Sequence, residues 1–438
     1  MGALHGWGRY PVIDADVVSG EDLERITADA VLSRGLGRAY GDAALPPAGA
    51  GHPVALTPKA DRILGFDPET GVIRAEAGLS LEVLTRLFLP RGWFTPVSPG
   101  TRYVTLGGMV ASDIHGKGHH VDGTFGRAVR SLRMRVADGR ILDVSREAHP
   151  ELFFATLGGQ GLTGHVLEVE VALQPVPSSW LYEESERYGT FAETFAALVQ
   201  ASVDFPMTVA WIDTTARGAK RGRGIVIRGR WATPDEAPAH PPSLRAGPRF
   251  PFLFPSGLGN PLTFRLANAV WYYKHPRRVV KHVVGPETFF WQLDLAREWN
   301  KGYGKRGFFQ YQCVLPTDVA LFDALLQRFQ ALGGSSFVTV LKDCGEQGEG
   351  LLSFPKRGTS LAVDVPIRSV ADAQRIAAGL DDFVVANGGR VYLAKDAFTS
   401  ASAFRAMYPS WERFQRIRDE WDPERRLRSA LSVRLLGD

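Results

Sequence analysis

A chain of 438 residues exceeds one ordinary core and implies two or three domains, and 45% apolar with 22% charged residues leaves no large disordered fraction. Lys plus Arg number 51 against 47 Asp plus Glu, a small and dispersed excess that gives no indication of a nucleic-acid partner. The two cysteines, Cys313 and Cys344, lack metal spacing and point to a reducing, cytoplasmic setting; no basic-then-apolar leader opens the chain, and no apolar run reaches the roughly 18 residues of a membrane span.

The first third alternates short β-branched or apolar runs with glycine. "AVLSRGLG" (30–37) predicts a strand running into a glycine loop, and "GVIRAEAG" (71–78) a strand closed by Gly78. "SLEVLTRLFLPRG" (80–92) has helical periodicity, with Ser80 as N-cap and Gly92 as terminator. The apolar stretch 105–111 reads as a short strand delivering "SDIHGKGHH" (112–120). "VRSLRMRVADGRILDVS" predicts a hairpin turning at Asp138-Gly139, and "GHVLEVEVALQPV" alternates as a strand. Near Pro175 the pattern changes to longer helices such as "TFAETFAALVQASV" (190–203) mixed with strands such as "GRGIVIRGRW" (222–231), which sets a domain boundary there. Beyond Pro234 a Pro-, Gly- and aromatic-rich stretch without period reads as a long mobile loop, extending to about residue 275.

Three glycine segments carry the chemistry of the first domain. "RGLGRAYGD" (34–42) sets Gly35, Gly37, Ala39 and Gly41 where backbone N–H groups can approach phosphate oxygens, although an ordinary tight turn has the same composition. "PGTRYVTLGGMVASDIHGKGHH" and "GGQGLTG" (158–164) repeat the pattern, and none has the order of a Rossmann fingerprint or a P-loop. His115 and His119 have the spacing of a helical metal pair, but Gly116 and Gly118 oppose a helix, so no metal is expected. His119 and His120 fit loop histidines satisfied by backbone, whereas His115 is positioned to point inward. "RFPFLFPSGLGNPLTFRLANAVWYYKHPRRVVKH" joins an apolar run to Lys274, His275, Arg277, Arg278, Lys281 and His282. That combination suits a lipid tail with an anionic phosphate or a membrane surface; a buried helix followed by a solvated basic face has the same composition.

The blocks "GLGRAYGD", "SPGTRYVTLGGMVASDIHGKGHH", "TFG" and "GGQGLTG", with "YP" and "DPERRL" near the C-terminus, resemble the FAD-binding oxidoreductases of the vanillyl-alcohol-oxidase and p-cresol-methylhydroxylase superfamily. Within it, "HGKGHHVDGTFG", "KRGFFQYQCVLP" and "VYLAKDAFTSASAFRAMYP" resemble the ribose 2-oxidases that serve as flavoprotein subunits of a polyprenyl-phosphoryl-ribose epimerase in the mycobacterial cell wall. The resemblance runs from about Trp7 to Arg434. It implies an α+β fold: a two-subdomain FAD-binding domain (1–175, completed by 406–438) and a substrate, or cap, domain on an antiparallel sheet (176–405).

It further implies that Gly35, Gly37, Arg38, Ala39, Tyr40 and Gly41 wrap the FAD pyrophosphate. Pro99, Gly100, Thr101, Thr105, Gly107, Gly108, Ser112, His115, Gly116 and Lys117 then line the isoalloxazine and diphosphate, and Gly161 and Gly164 also reach the cofactor. Arg38 stands where many members carry the histidine that attaches FAD, so the FAD is expected to be non-covalent. The implied reaction oxidises a secondary hydroxyl of a sugar, the 2-hydroxyl of a polyprenyl-phosphate-linked ribose, by hydride transfer to flavin N5. Lys395 is the implied catalytic group, with His115 and Tyr40 as further candidates. Trp211, Gln310, Gln312, Lys342, Ser360 and Ala362 occupy substrate-side positions. The mycobacterial enzymes carry asparagine and cysteine at the positions of Ser360 and Ala362, and a Tyr-His pair at Phe290 and Trp291, so the pocket differs. A soluble alditol or aldonolactone oxidase of the same fold is the alternative; a non-redox flavin scaffold is opposed by Lys395 and the glutamines. A short-chain reductase partner and a peripheral membrane contact complete the expectations.

Overall fold

In the computed structural model, which describes residues 2–438, the short runs of the first third build two main sheets, beside a two-stranded sheet of Gly2–His5 and Val12–Ala15. Val17–Ser19, Val54–Leu56 and Leu32–Arg34 form a three-stranded parallel sheet, with Val54–Leu56 in the centre. Ile141–Ser145, Val129–Arg135, His165–Ala172, Val72–Glu76 and Ile63–Phe66 form a five-stranded antiparallel sheet in that order. The hairpin turns at Asp138-Gly139, where Gly139 has φ +93°. Leu81–Phe88 is a helix whose Ser80 hydroxyl accepts from Val83 N at 3.2 Å, and Gly92 closes the following turn at φ +80°.

The stretch before His115 is a helix, Leu106–Ala111, which corrects the strand expected there. Thr105 caps it by accepting from Gly108 N at 3.3 Å. Leu106, Met109 and Val110, at helical spacing, are buried. Gly107 lets this helix approach the neighbouring chain, since a Cβ there would lie 3.0 Å from Ala77 Cβ. His119–Asp122 is a further short helical turn, so His119 and His120 are not in open loop. Their rings are nonetheless tied to backbone, His119 Nδ1 accepting from Gly345 N at 3.1 Å and His120 Nε2 lying 3.0 Å from Phe205 O.

The larger sheet has eight antiparallel strands in the order Val280–Val284, Leu181–Tyr188, Gly224–Trp231, Met207–Ile212, Thr339–Cys344, Gly358–Pro366, Phe308–Leu315 and Arg390–Val391. Helices Phe191–Asp204, Val319–Ala331 and Val370–Ala386 cover one face. Along Phe308–Leu315, Phe309, Tyr311 and Cys313 join the hydrophobic core, and the Tyr311 hydroxyl donates to Asp381 of Val370–Ala386 at 2.9 Å. The pleat therefore sends Gln310 and Gln312 to the opposite face, which is free for a site.

Pro261–Lys274 is a helix, so the expected loop ends at Asn260 rather than near 275. Asn260 caps it, accepting from Leu262 N at 3.0 Å and Thr263 N at 3.1 Å, and Pro261 stands at the first helical position, where its missing N–H costs nothing. The chain ends in Ala401–Met407, which packs on Val370–Ala386 and Arg390–Val391, and in Trp411–Trp421 and Ala430–Leu436, which reach back to the N-terminal elements: Trp411–Trp421 packs on Pro150–Thr156, and Ala430 N donates to Leu45 O at 2.8 Å. No helix among the described residues is long and apolar enough to cross a membrane.

Candidate active site

The glycine loops face the open side of the eight-stranded sheet across a cavity of about 490 Å³, within the usual range for cofactor and ligand sites. Its walls bring together Gly35, Gly37, Arg38, Ala39 and Tyr40 from the first loop, and Pro99, Gly100, Thr101, Thr105, Gly107, Gly108, Ser112, His115, Gly116 and Lys117 from the second. Gly161 and Gly164 come from the third loop, and Trp211, Gln310, Gln312, Lys342, Ala362 and Lys395 from the sheet side.

Two expected residues stand outside. Gly41 does not line the cavity: a Cβ there would sit 1.7 Å from Asp396 O, so this glycine serves close packing. Ser360 is buried behind the wall, where its hydroxyl accepts from the Gln312 amide at 3.2 Å. It acts on the pocket by orienting Gln312. Of the substituted pair, Phe290 lines the cavity, whereas Trp291 is fully buried and donates its indole N–H to Ser98 Oγ at 3.0 Å.

The loops are shaped for a ligand with exposed phosphates. Gly37 has φ +66° and Gly161 φ +78°, left-handed conformations that favour glycine, and nothing lies within 4 Å of a Cβ built at Gly100 or Gly161. A side chain at Gly35 would reach 2.3 Å from Thr105 Oγ1. The Arg38 guanidinium stacks 3.9 Å from the Trp7 ring centroid and donates to Tyr103 O at 3.2 Å.

The sheet side is rich in half-buried lysines. Lys395 follows the edge strand Arg390–Val391 and holds its ammonium 3.6 Å from the Tyr40 ring centroid. Burial pulls its pKa down to about 7; Asp364 opposes the shift and Lys342 adds to it. Burial also lowers Lys342, which has no carboxylate partner among the described residues, and takes Lys117 down to about 8 with Glu183 opposing. Lys117 Nζ donates to the Phe289 carbonyl. Burial holds His115 well below its ordinary range and so neutral, and Lys342, His119 and Lys395 push it further. The Gln312 amide lies 3.0 Å from His115 Nε2 and must donate to it, which leaves the proton on Nδ1, a buried atom with no partner. Burial, with Asp364 and Asp294 nearby, keeps Tyr40 protonated. Three half-buried lysines and an unmet imidazole donor fit an anionic ligand with acceptor oxygens.

The sequence reading overlooked two acids. Asp364, fully buried, accepts from Gln310 Nε2 at 2.6 Å, and burial pushes its carboxyl up to about 7 against Gln310, Lys395 and Tyr303. The signal was present: an acid in the otherwise apolar run "SLAVDVP", on the same strand face as Ser360 and Ala362. Asp294 lines the cavity and ties down the second loop, accepting from Thr101 Oγ1 and Arg102 N, each at 2.8 Å. It lies 192 residues from Arg102 in sequence, with no local pattern to link them.

Residues 25–145 match the family model described as FAD binding domain, and residues 362–435 match that of D-arabinono-1,4-lactone oxidase. The chain is 37% identical to decaprenylphosphoryl-beta-D-ribose oxidase of Mycolicibacterium smegmatis, across 99% of this chain and 97% of that protein. It is 34% identical to an uncharacterized protein in the mprA 5' region of Streptomyces coelicolor, across 82% of this chain and all of that one. Likeness to D-lactate dehydrogenase of Anaerostipes hadrus, 27% identical, covers only 30% of the chain.

Proposed function

We propose that this chain, which belongs to the decaprenylphosphoryl-β-D-ribose oxidase family and is an FAD-dependent oxidoreductase, oxidises the 2-hydroxyl of a polyprenyl-phosphate-linked ribose. FAD, when bound, supplies the hydride acceptor. The glycines of the three loops and Arg38 are the residues suited to hold it, and Lys117 and Lys342 offset its negative charge.

The observation that carries the reading is Lys395, half-buried beside the Tyr40 ring at 3.6 Å, with a pKa drawn down to about 7, in the same cavity as the Gln312–His115 pair. The neutral form of this lysine takes the proton of the substrate hydroxyl as the C–H bond breaks. His115, neutral and protonated at Nδ1, orients the sugar by donating, and Gln310 and Gln312 bind its remaining hydroxyls. Tyr40 stays a hydroxyl donor. Ala362 leaves more room than a cysteine, and Phe290 presents an apolar edge, so the pocket is shaped to discriminate among pentoses differently from the mycobacterial enzymes. A short-chain reductase acting on the resulting ketone completes the epimerisation, in the cytoplasm.

The alternative, a soluble alditol or aldonolactone oxidase, draws on the match of residues 362–435. Anaerobic bleaching of the flavin separates the two. Polyprenyl-phosphate ribose should reduce it rapidly at micromolar levels while free alditols and aldonolactones leave it yellow; the reverse order overturns the reading.

A further inference from the structure

We infer that the helix Pro261–Lys274 docks the protein on an anionic phospholipid surface, with its outer face in the bilayer interface beside the mouth of the cavity. The inference extends the lipid-linked reading to where that substrate is met, and rests on it for its catalytic consequence alone.

The helix is fixed from inside. Phe264, Asn268 and Tyr272, spaced by one turn, are buried. The Asn268 amide donates to Asp213 at 2.9 Å and to Ser336 O at 3.0 Å, and the Tyr272 hydroxyl donates to Tyr188 O at 3.0 Å. Because these buried donors meet their acceptors only in this orientation, the helix cannot roll to hide its other face. That face carries Leu262, Leu266, Val270 and Tyr273, which are 77%, 69%, 64% and 62% exposed. At 3.6 residues per turn the four fall within about 80° of rotation, a continuous stripe rather than scattered single residues. Arg265 borders it on one side and Lys274 on the other, both exposed.

The surrounding charge selects the occupant. From Ala237 to Pro286 the chain has seven Lys or Arg residues and no Asp or Glu, whereas the whole chain is only +4. Arg249 and Lys281 reach acids outside the segment, at 3.9 Å and 3.5 Å, which leaves the basic residues next to the stripe as its dominant charge. Arg277 and Arg278 follow the helix and are exposed. A second copy of the chain would set two such positive faces against each other, whereas anionic head groups complement the rim and acyl chains take the stripe. On the inner side of the same helix, Trp271 lines the cavity together with Val209, Phe337 and Val338. One helix thus joins a lipid-facing stripe to the apolar part of the substrate cavity.

The test uses the FAD-loaded protein and sedimentation with phosphatidylglycerol–phosphatidylcholine vesicles against phosphatidylcholine alone. The parent should pellet with the anionic vesicles only, and less at high salt. Leu262→Ser with Leu266→Ser and Val270→Ser should weaken pelleting more than about tenfold, and Arg277→Glu with Arg278→Glu roughly fivefold or more per residue. These side chains are exposed, so FAD content and the melting temperature should stay at parental values. A parent that ignores anionic vesicles, or serine variants that pellet like the parent, overturns the inference. So does a concentration-dependent dimer, seen by sedimentation velocity, that the serine variants abolish, because the stripe then belongs to a second copy. Vesicle binding without oxidation of polyprenyl-phosphate ribose leaves docking intact and removes the substrate reading instead.

Discussion

Lys395 and Lys342 share one buried cavity, and two ordinary ammonium groups there would repel each other with little water to screen them. Burial lowers both, but only Lys395 also faces a carboxylate, Asp364, so its proton is shared within a pair rather than simply expelled. Replacing Lys395 by methionine keeps the volume and removes the proton acceptor. The variant should stay yellow and folded while substrate-driven flavin reduction, followed by stopped flow, falls roughly 100- to 10,000-fold; a rate within a few-fold of the parent would return His115 or Tyr40 to first place. Asp364→Asn tests the pair. In the parent, reduction should rise with pH through an apparent midpoint near 7, as the Lys395–Asp364 pair loses its proton. The Asp364 charge raises Lys395, so its loss should move that midpoint downward by roughly a unit or more and extend full activity to lower pH. An unmoved midpoint shows that Asp364 acts only as a packing partner of Gln310. Lys395 was legible in the sequence through its block, "YLAKDAF"; Asp364 stood out only as an acid in an apolar strand, and strand register was needed to set it opposite Gln310.

Elements were legible in proportion to how one-sided they are. Leu81–Phe88 has an apolar face, a serine cap and a terminal glycine, and all three were readable. Leu106–Ala111 spans under two turns and holds two glycines, too short for a helical period to stand out from a strand. Pro261–Lys274 was left open between a loop and a buried helix for another reason: its outer stripe is as apolar as its inner face, so no 3.6-residue alternation appears. The first glycine loop was the most legible element of the site, and Arg38 is its testable departure. With a guanidinium stacked on Trp7 where the resemblance puts the linking histidine of many members, this loop offers no imidazole nitrogen for attachment. Acid precipitation should therefore leave a colourless pellet and all the FAD in the supernatant. A pellet that stays yellow through washing shows a covalent bond elsewhere in the site.

At the scale of the whole molecule, the first glycine loop and Lys395, proposed as the proton acceptor, come from opposite ends of the sequence and must be held together by something other than chain connectivity. Arg434, on the last helix, supplies that link. Its guanidinium forms a two-point bond with Asp42 at 2.8 Å and reaches Asp396 at 2.9 Å. Asp42 closes the first glycine loop, and Asp396 is the neighbour of Lys395. The junction is reinforced where Tyr40 N donates to Ala394 O at 2.9 Å and Gly41 packs on the Asp396 carbonyl. Removing the arginine leaves two nearly buried carboxylates facing each other without a counter-charge, which typically costs about 3–5 kcal/mol. Arg434→Met should accordingly lower the melting temperature of the FAD-free protein as well as the loaded one, because the clamp is made by protein groups alone. It should also weaken FAD retention and slow flavin reduction together, since one movement displaces Tyr40 and Lys395. Adding Asp42→Asn and Asp396→Asn removes the stranded charges and should recover part of the lost stability, but not the reduction rate, because the clamp itself is still missing. Melting temperatures and reduction rates measured across parent, single and triple variants decide the matter: a single variant as stable as the parent, or a triple variant no more stable than the single, would show that this ion cluster does not hold the two halves of the site together.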